Sequence, residues 1–467
     1  MATRLMPNPL AAMVGLALIA VALERAFPPG EGVRIRAAED NPAATLSVGA
    51  AAVPLEADDN MVIGGGIFPG KAKGQEGQLR AVAVVLEMPA QGRMAIVACD
   101  VLMLSRDLLD PVAEEISNKY QIPAERLLIH ATHTHHAPST VTVHGYQREE
   151  LFCRRVQQGI VQAVGQAVAR LQAAEFYFAL GQEATVGQNS RWLLKDGTIF
   201  WIGPRDDAVR PTGPFDPDLP VLAFRAKGSK EKWLAVLFNH STHTIGTRQP
   251  GVRSPSFYGL AAQELEQEIG GVCCFLQGAS GSTHNLGVPV DEAILRIQNA
   301  VREALQEAQP RRVAQLRGLR QAFRFRVRRF DEALEDEAVS RYCRRRAGNS
   351  ADGIIEVFRQ QRRILAPLQG QERETWLQVL QIGDVALVGV PAEFFTKLGL
   401  DIKRRSPFRY TYIAELANDW IGYLPDRRAF DLGGYQTWTG LHSYAEAGTG
   451  ERVVHDILAL LHKLHQP

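Results

Sequence analysis

Four histidines fall within seven residues in His130-Ala131-Thr132-His133-Thr134-His135-His136, one third of the twelve in the chain. Neutral imidazole is a common ligand for zinc, so closely spaced histidines suit a transition-metal site. The apolar run Leu127-Leu128-Ile129 leads into them and reads as a buried strand stopped by Pro138. On an extended backbone alternate side chains share a face, which would set His133 and His135 side by side. The competing reading is a polar loop with incidental histidines. A His-x-His pair alone names neither a fold nor a reaction, so partners must come from elsewhere in the chain.

Other apolar runs end in the same way. Residues 233–238 run into Asn239-His240-Ser241-Thr242-His243, and residues 272–276 into Gln277-Gly278-Ala279-Ser280-Gly281-Ser282-Thr283-His284-Asn285. Residues 385–390 run into Pro391-Ala392-Glu393, which reads as the opening of a helix. Taken singly, each has a structural reading: His240 or His243 as a core histidine, Glu393 as a carboxylate favoured at a helix N-terminus, His284 as a turn cap. Together they place metal-binding and acid/base groups at strand ends, where α/β proteins build sites.

The elements that must position them follow from periodicity. Strands are expected over 80–87, 94–102 (with Asp100 as its one acid), 176–180, 323–327, 376–382 and 410–416, besides the runs above. Helices are expected over 108–120, 149–173, 257–269, 291–308, 331–346, 354–365 and 451–465; Phe152, Val156, Ile160, Val164, Val168 and Leu171 recur at helical spacing in the second. Phe323, Phe325 and Val327 alternate with Arg324, Arg326 and Arg328, read as a solvated face. Asn189-Ser190-Arg191 falls in a polar loop. Gly64-Gly65-Gly66 marks a tight turn or a close approach, and it lacks the strand-loop-helix context of a phosphate loop. Interleaved strands and helices imply an α/β fold, a layered mixed sheet flanked by helices.

Composition sets the outer bounds. The chain has 467 residues, 46% of them apolar, enough for a sizeable core, and its net charge of +1 argues against a nucleic-acid partner. Cys99, Cys153, Cys273, Cys274 and Cys343 form no CxxC pair, so neither a zinc knuckle nor a disulfide framework is expected. Arg4 precedes an apolar stretch over 10–23 that contains Ala20-Val21-Ala22, the pattern of a signal peptide or a short anchor over 1–25. A linker over 26–44 and a folded region over 45–467 would follow. Export to a periplasmic or extracellular space, or tethering to a membrane, is the expectation.

The motifs together resemble those of the neutral ceramidases. His133-Thr134-His135-His136-Ala137-Pro138 is similar to that family's His-Thr-His-Ser-Gly-Pro, and Val388-Gly389-Val390-Pro391-Ala392-Glu393 to its Val-Gly-x-Pro-x-Glu. Asn418 to Tyr423 resembles its Asn-x-x-x-x-Tyr segment, and Tyr435 follows at the family's spacing. The resemblance runs from Val48 to Tyr444. It implies one zinc ion held by His133, His243, Glu393 and Tyr423, with His135 as acid/base and Tyr435 as a hydroxyl for the transition state. His243 is preferred to His240 because Asn239 to His243 matches the family's Asn-x-x-x-His. The implied activity is hydrolysis of an N-acyl amide bond in a ceramide-like lipid by zinc-activated water. A small or lipid-like acyl substrate and a membrane surface would be the partners. The alternatives are a zinc hydrolase of another ester or amide, or a non-catalytic metal-binding descendant of the fold.

Two departures qualify the resemblance. The family's glycine-led loop, Gly-Asp-x-Ser-Pro, stands here as Gly281-Ser282-Thr283-His284-Asn285, so His284 replaces a serine to which a nucleophilic role is assigned. His284 becomes a candidate to orient water or bind a carbonyl. The family's additional β-sandwich domain has no counterpart expected within residues 45–467.

Overall fold

Nearly every long strand is apolar on both faces, because both faces are covered. The computed structural model describes residues 45–229, 232–285 and 287–466, so the expectations for 1–25 and 26–44 lie outside the described residues. A first sheet contains Ser47–Pro54 (β1), Arg80–Met88 (β2), Gly92–Cys99 (β3), Leu127–Ala131 (β4), Gln172–Gln182 (β5), Asp218–Ala226 (β6), Trp233–His240 (β7), Val272–Gln277 (β8) and Gln309–Arg311 (β9). Its order is β8-β7-β6-β5-β1-β2-β3-β4, with β9 also on β5. Pairing is antiparallel except in the two end pairs, β7/β8 and β3/β4. A second sheet holds Leu316–Arg326 (β10), Glu372–Ile382 (β11), Val385–Val390 (β12) and Tyr410–Glu415 (β13) in that order, with β12/β13 parallel.

Alternation along the strands shows the layering. In β2, Ala81, Ala83 and Val85 pack under the helices Arg106–Tyr120 (α1) and Glu150–Ala169 (α2). Val82, Val84 and Leu86 point the other way, into a core shared with Leu380, Ile382, Val385, Leu387 and Tyr412 of the second sheet. Residues of β6 and β7 divide likewise, with Val221, Ala223, Val236 and Phe238 against Ser256–Ile269 (α3) and Val290–Glu307 (α4). The far face of the second sheet is covered by Thr396–Arg405 (α5) and Thr449–His465 (α6), through Leu398, Ile402, Val453, Ile457 and Leu461. The order of layers is helices, sheet, sheet, helices. The expected mixed sheet flanked by helices is present, with a second sheet inserted beneath it.

This stacking positions the site. β8, at one end of the first sheet, packs against β3 and β4 at the other, so the sheet is curled until its two parallel end pairs meet. The amide of Asn239 at the end of β7 donates to Leu276 O (2.7 Å) and to Ile413 O (2.8 Å) of the second sheet. Asn418, in the left-handed region at φ 62°, bonds the backbone of Ile129 in both directions. The C-terminal ends of β4, β7, β8 and β12 therefore face a common point.

Several expectations need correction. Asp218–Ala226 was not anticipated as a strand, and Asp100 lies just beyond β3, where it accepts from Thr132 Oγ1 at 3.1 Å. Arg328 is buried and donates to Thr437 O, Ala445 O and Ser443 Oγ, whereas Arg324 and Arg326 are exposed as expected. All five cysteines are free and buried. No helix among the described residues is long and apolar enough to cross a membrane.

Candidate metal centre

β4 ends at Ala131, two residues before the first candidate ligand. His133 then takes φ 64°, a left-handed conformation uncommon for a side chain of this size. Strand alternation is thus not what pairs His133 with His135, as the sequence suggests. The turn brings them edge to face, with Nε2 atoms 3.2 Å apart and rings nearly perpendicular. The Gly65 loop closes over His135: Gly65 O lies 3.3 Å from Nδ1, and φ is +105° at Gly65, where any Cβ would strike the imidazole. The close approach expected of the triple glycine is this one.

His243 arrives from the loop after β7, its ring 4.5 Å from that of His133. His240 is not part of the cluster. It is fully buried on the other side, with Nδ1 against the Tyr258 hydroxyl and Nε2 donating to Glu183 O at 2.9 Å. Glu393 is not in a helix. It forms a two-residue parallel ribbon with Tyr423 and Leu424, and helix α5 starts only at Thr396. That ribbon sets the two candidate oxygen ligands side by side. Glu393 Oε2 lies 3.5 Å from His133 Nε2 and 3.4 Å from His243 Nε2, and Tyr423 Oη lies 3.1 Å from His243 Nε2.

Backbone carbonyls fix both imidazoles. His133 Nδ1 donates to Leu102 O at 3.0 Å and His243 Nδ1 to Ser280 O at 2.9 Å. A carbonyl can only accept, so each Nδ1 carries the proton and each Nε2 presents a lone pair to the centre. Burial, then the neighbouring His243, push the His133 pKa down to about 4. Burial and the His133 and His243 rings hold His135 well below its ordinary value. Burial works against charge on Glu393, yet the facing His243 and His133 imidazoles hold its carboxyl below the usual range. Burial and Glu393 raise Tyr423 well above an ordinary phenol. Lone pairs and a carboxylate converging in a dry space repel one another unless a cation lies among them. His133, His135 and His243 form a cluster able to hold a metal ion.

The loop after β8 ties its hydroxyls to neighbouring segments. Ser282 is buried and bonded to Thr396, and Thr283 Oγ1 donates to Ser241 O at 2.6 Å. Neither hydroxyl faces the histidines. His284 does, stacked on His243 at 5.4 Å between ring centroids. Burial, then His243, push its pKa to about 3, and its Nδ1 is buried with no hydrogen-bond partner.

Tyr435 stands beside the cluster, its ring 5.8 Å from that of Tyr423 and stacked on Trp201 and His442. Sequence reasoning missed four residues that support the site. Glu415, fully buried, accepts from Ser280 N and Oγ and from Phe394 N. Trp420 Nε1 donates to Glu393 Oε1 at 3.3 Å. His144 Nε2 lies 3.0 Å from the Tyr435 hydroxyl, and Gln361 Nε2 lies 3.3 Å from His144 Nδ1. Position at a strand end could have flagged Glu415. Nothing in the local pattern marks the other three.

An α/β protein with a buried cluster of histidines and a carboxylate at the junction of two sheets is the class that fold and site define. No protein-family model matches the chain. It is 26% identical over 255 residues to the neutral ceramidase of Pseudomonas aeruginosa, a match covering 51% of this chain and 36% of that protein. The solved structure of neutral ceramidase from Pseudomonas aeruginosa superimposes with a TM-score of 0.69 at 18% identity, covering 90% of this chain and 75% of that one. A ceramidase complexed with C2 gives the same TM-score and identity, covering 76% of its chain. The chain spans little more than a third of the curated relative's length in sequence. Its fold is that of the solved neutral ceramidase structures, and about half of the chain resembles the curated one in sequence.

Proposed function

We propose that this chain is a zinc-dependent hydrolase of an N-acyl amide, with His133, His243, Glu393 and Tyr423 as the zinc ligands. The observation that carries the reading is that Glu393 Oε2 lies 3.5 Å from His133 Nε2 and 3.4 Å from His243 Nε2, with Tyr423 Oη 3.1 Å from His243 Nε2. Atoms that bind one zinc ion at ~2.0–2.2 Å lie no more than ~4.4 Å from one another, so these spacings would allow one shared ion. Zinc bound there would polarise a carbonyl and lower the pKa of a water to about 7.

The chain's own residues supply the rest. His135, neutral and adjacent to His133, accepts a proton from water and returns it to the leaving amine. The Tyr435 hydroxyl donates to the oxygen that gains charge at the carbonyl, a contact worth ~3 kcal/mol in a dry site. With Ser282 and Thr283 tied to backbone and to Thr396, no acyl-enzyme forms on this loop, and His284 orients water or the substrate carbonyl. The likeness to proteins named ceramidase supports a lipid-like acyl substrate at a membrane surface, and the apolar segment over 10–23 supports export.

A second reading, a zinc esterase or amidase for another substrate, is favoured by His284 in place of the serine. Metal analysis with a panel of fluorogenic N-acyl amides and esters decides. Zinc with amide turnover supports the first reading, zinc with ester turnover alone the second. A chain that binds no zinc, or that turns over neither class, defeats both.

A further inference from the structure

We infer that His144 is a positioning residue that aims the Tyr435 hydroxyl proton into the cleft, through a hydrogen-bond relay of fixed polarity that begins at the Leu441 amide. The inference rests on the reading of Tyr435 as a donor to the substrate carbonyl.

The polarity can be read link by link. Leu441 N–H is a donor, so the Gln361 atom 2.8 Å away is its amide oxygen. The other end of that amide, Nε2, is a donor, and it faces His144 Nδ1 at 3.3 Å. Nδ1 therefore accepts, and the single proton of the neutral imidazole sits on Nε2. His144 Nε2 lies 3.0 Å from Tyr435 Oη, so it donates to the phenol oxygen. With one lone pair taken by His144, the Tyr435 proton is not used in that bond and is free to point elsewhere. Burial, then the adjacent His442, keep His144 well below its ordinary pKa, so the neutral form applies.

The surroundings hold the relay in place. His144 has φ 54°, a left-handed backbone that turns its ring inward. Gln361 is 1% exposed, and a Cβ on Gly440 would come within 2.8 Å of its Oε1. His442 Nε2 donates to Tyr435 O at 3.0 Å and its ring lies along the Tyr435 ring, and among the described residues the hydroxyl's hydrogen-bond partner is His144. Trp201 stacks on Tyr435 at 4.5 Å, nearly parallel. Packed against Trp201 and His442, the phenol keeps its oxygen beside the imidazole.

The test has one readout that needs no activity. In ¹⁵N-histidine-labelled protein, with and without zinc, His144 should carry its proton on Nε2. A proton on Nδ1 overturns the inference. Kinetics then ask whether the donor matters. His144→Leu should lower kcat by ~10-fold or more with KM within ~2-fold, because the interaction is made at the transition state. His144→Gln, which can present an N–H to the phenol, should recover part of that loss. In a Tyr435→Phe background, His144→Leu should cost nothing further. Unchanged kcat in His144→Leu, or the same loss with and without the Tyr435 hydroxyl, overturns the inference. If the wild-type chain turns over no amide or ester, the proposed function fails, and the Nε2 tautomer still stands or falls on the spectrum.

Discussion

Glu415 offers a test of how the candidate ligands are held. It is fully buried, 21 residues from Phe394 and 135 from Ser280 in sequence, and accepts from Ser280 N (3.0 Å), Ser280 Oγ (2.5 Å) and Phe394 N (2.8 Å). Ser280 presents its carbonyl to His243, and Phe394 follows Glu393, so one side chain braces two ligand-bearing segments. In Glu415→Ala both backbone N–H groups stay buried without an acceptor, at ~1–3 kcal/mol each, and the Ser280 hydroxyl loses its acceptor while keeping the bond from Gln277 Nε2. The expected destabilisation is ~3–5 kcal/mol. Zinc affinity should fall ~10–100-fold, the range for loss of a residue that orients a metal ligand. Glu415→Gln should retain most of both. Its amide oxygen can take the two backbone donors and its NH₂ can donate to Ser280 Oγ. Burial and the nearby Glu393 charge push the Glu415 carboxyl well up, so a neutral amide is also better tolerated there. Denaturant unfolding of zinc-stripped protein and competition with a chromophoric chelator give the two numbers. An alanine variant within ~1 kcal/mol of wild type with unchanged zinc affinity would refute the bracing role. A glutamine variant as damaged as alanine would show that charge, not acceptance, is what matters.

Four further outcomes follow. His135→Ala and Tyr435→Phe should keep bound zinc and lose ~10²-fold in kcat, and loss of metal from either would move that residue into the ligand set. Ser282→Ala and Thr283→Ala should keep most activity while His284→Ala costs more than either; an acyl adduct trapped on Ser282 or Thr283 by quenched mass spectrometry would defeat the mechanism. His240→Ala should lower stability and spare zinc stoichiometry, whereas His243→Ala should abolish zinc binding. Burial pushes the His130 pKa to about 4, against the bond to its neighbour's carbonyl, so the fold favours the neutral ring. Its contribution is present above the unfolded value of ~6.5 and lost as pH falls towards 4, up to ~3 kcal/mol, and His130→Leu should flatten that part of the stability profile.

The sequence shows the site's ends better than its means. The apolar runs before His133, His243 and His284 are legible because buried strands need apolar residues on both faces. The same property hid the second sheet, since strands of two stacked layers carry the same unbroken pattern. Asp218–Ala226 was missed because Asp218 and Pro220 break the start of its apolar run. The choice of His243 over His240 needed the family motif; the residues themselves allow either. The left-handed turn at His133 and the ribbon that pairs Glu393 with Tyr423 depend on contacts between distant segments, which no local period encodes. Glu415, His144, Gln361 and Trp420 act through partners that folding brings to them. Their identities follow from hydrogen-bond accounting once the fold is known.

The central claim is that His133, His243, Glu393 and Tyr423 enclose one zinc ion. Anomalous diffraction at the zinc edge, on crystals grown without added metal, tests it most directly. A single strong peak is expected, with His133 Nε2, His243 Nε2, a Glu393 oxygen and Tyr423 Oη all at ~2.0–2.2 Å. A peak bound by His135 in place of Glu393 or Tyr423, or no peak in protein that still hydrolyses substrate, would contradict it.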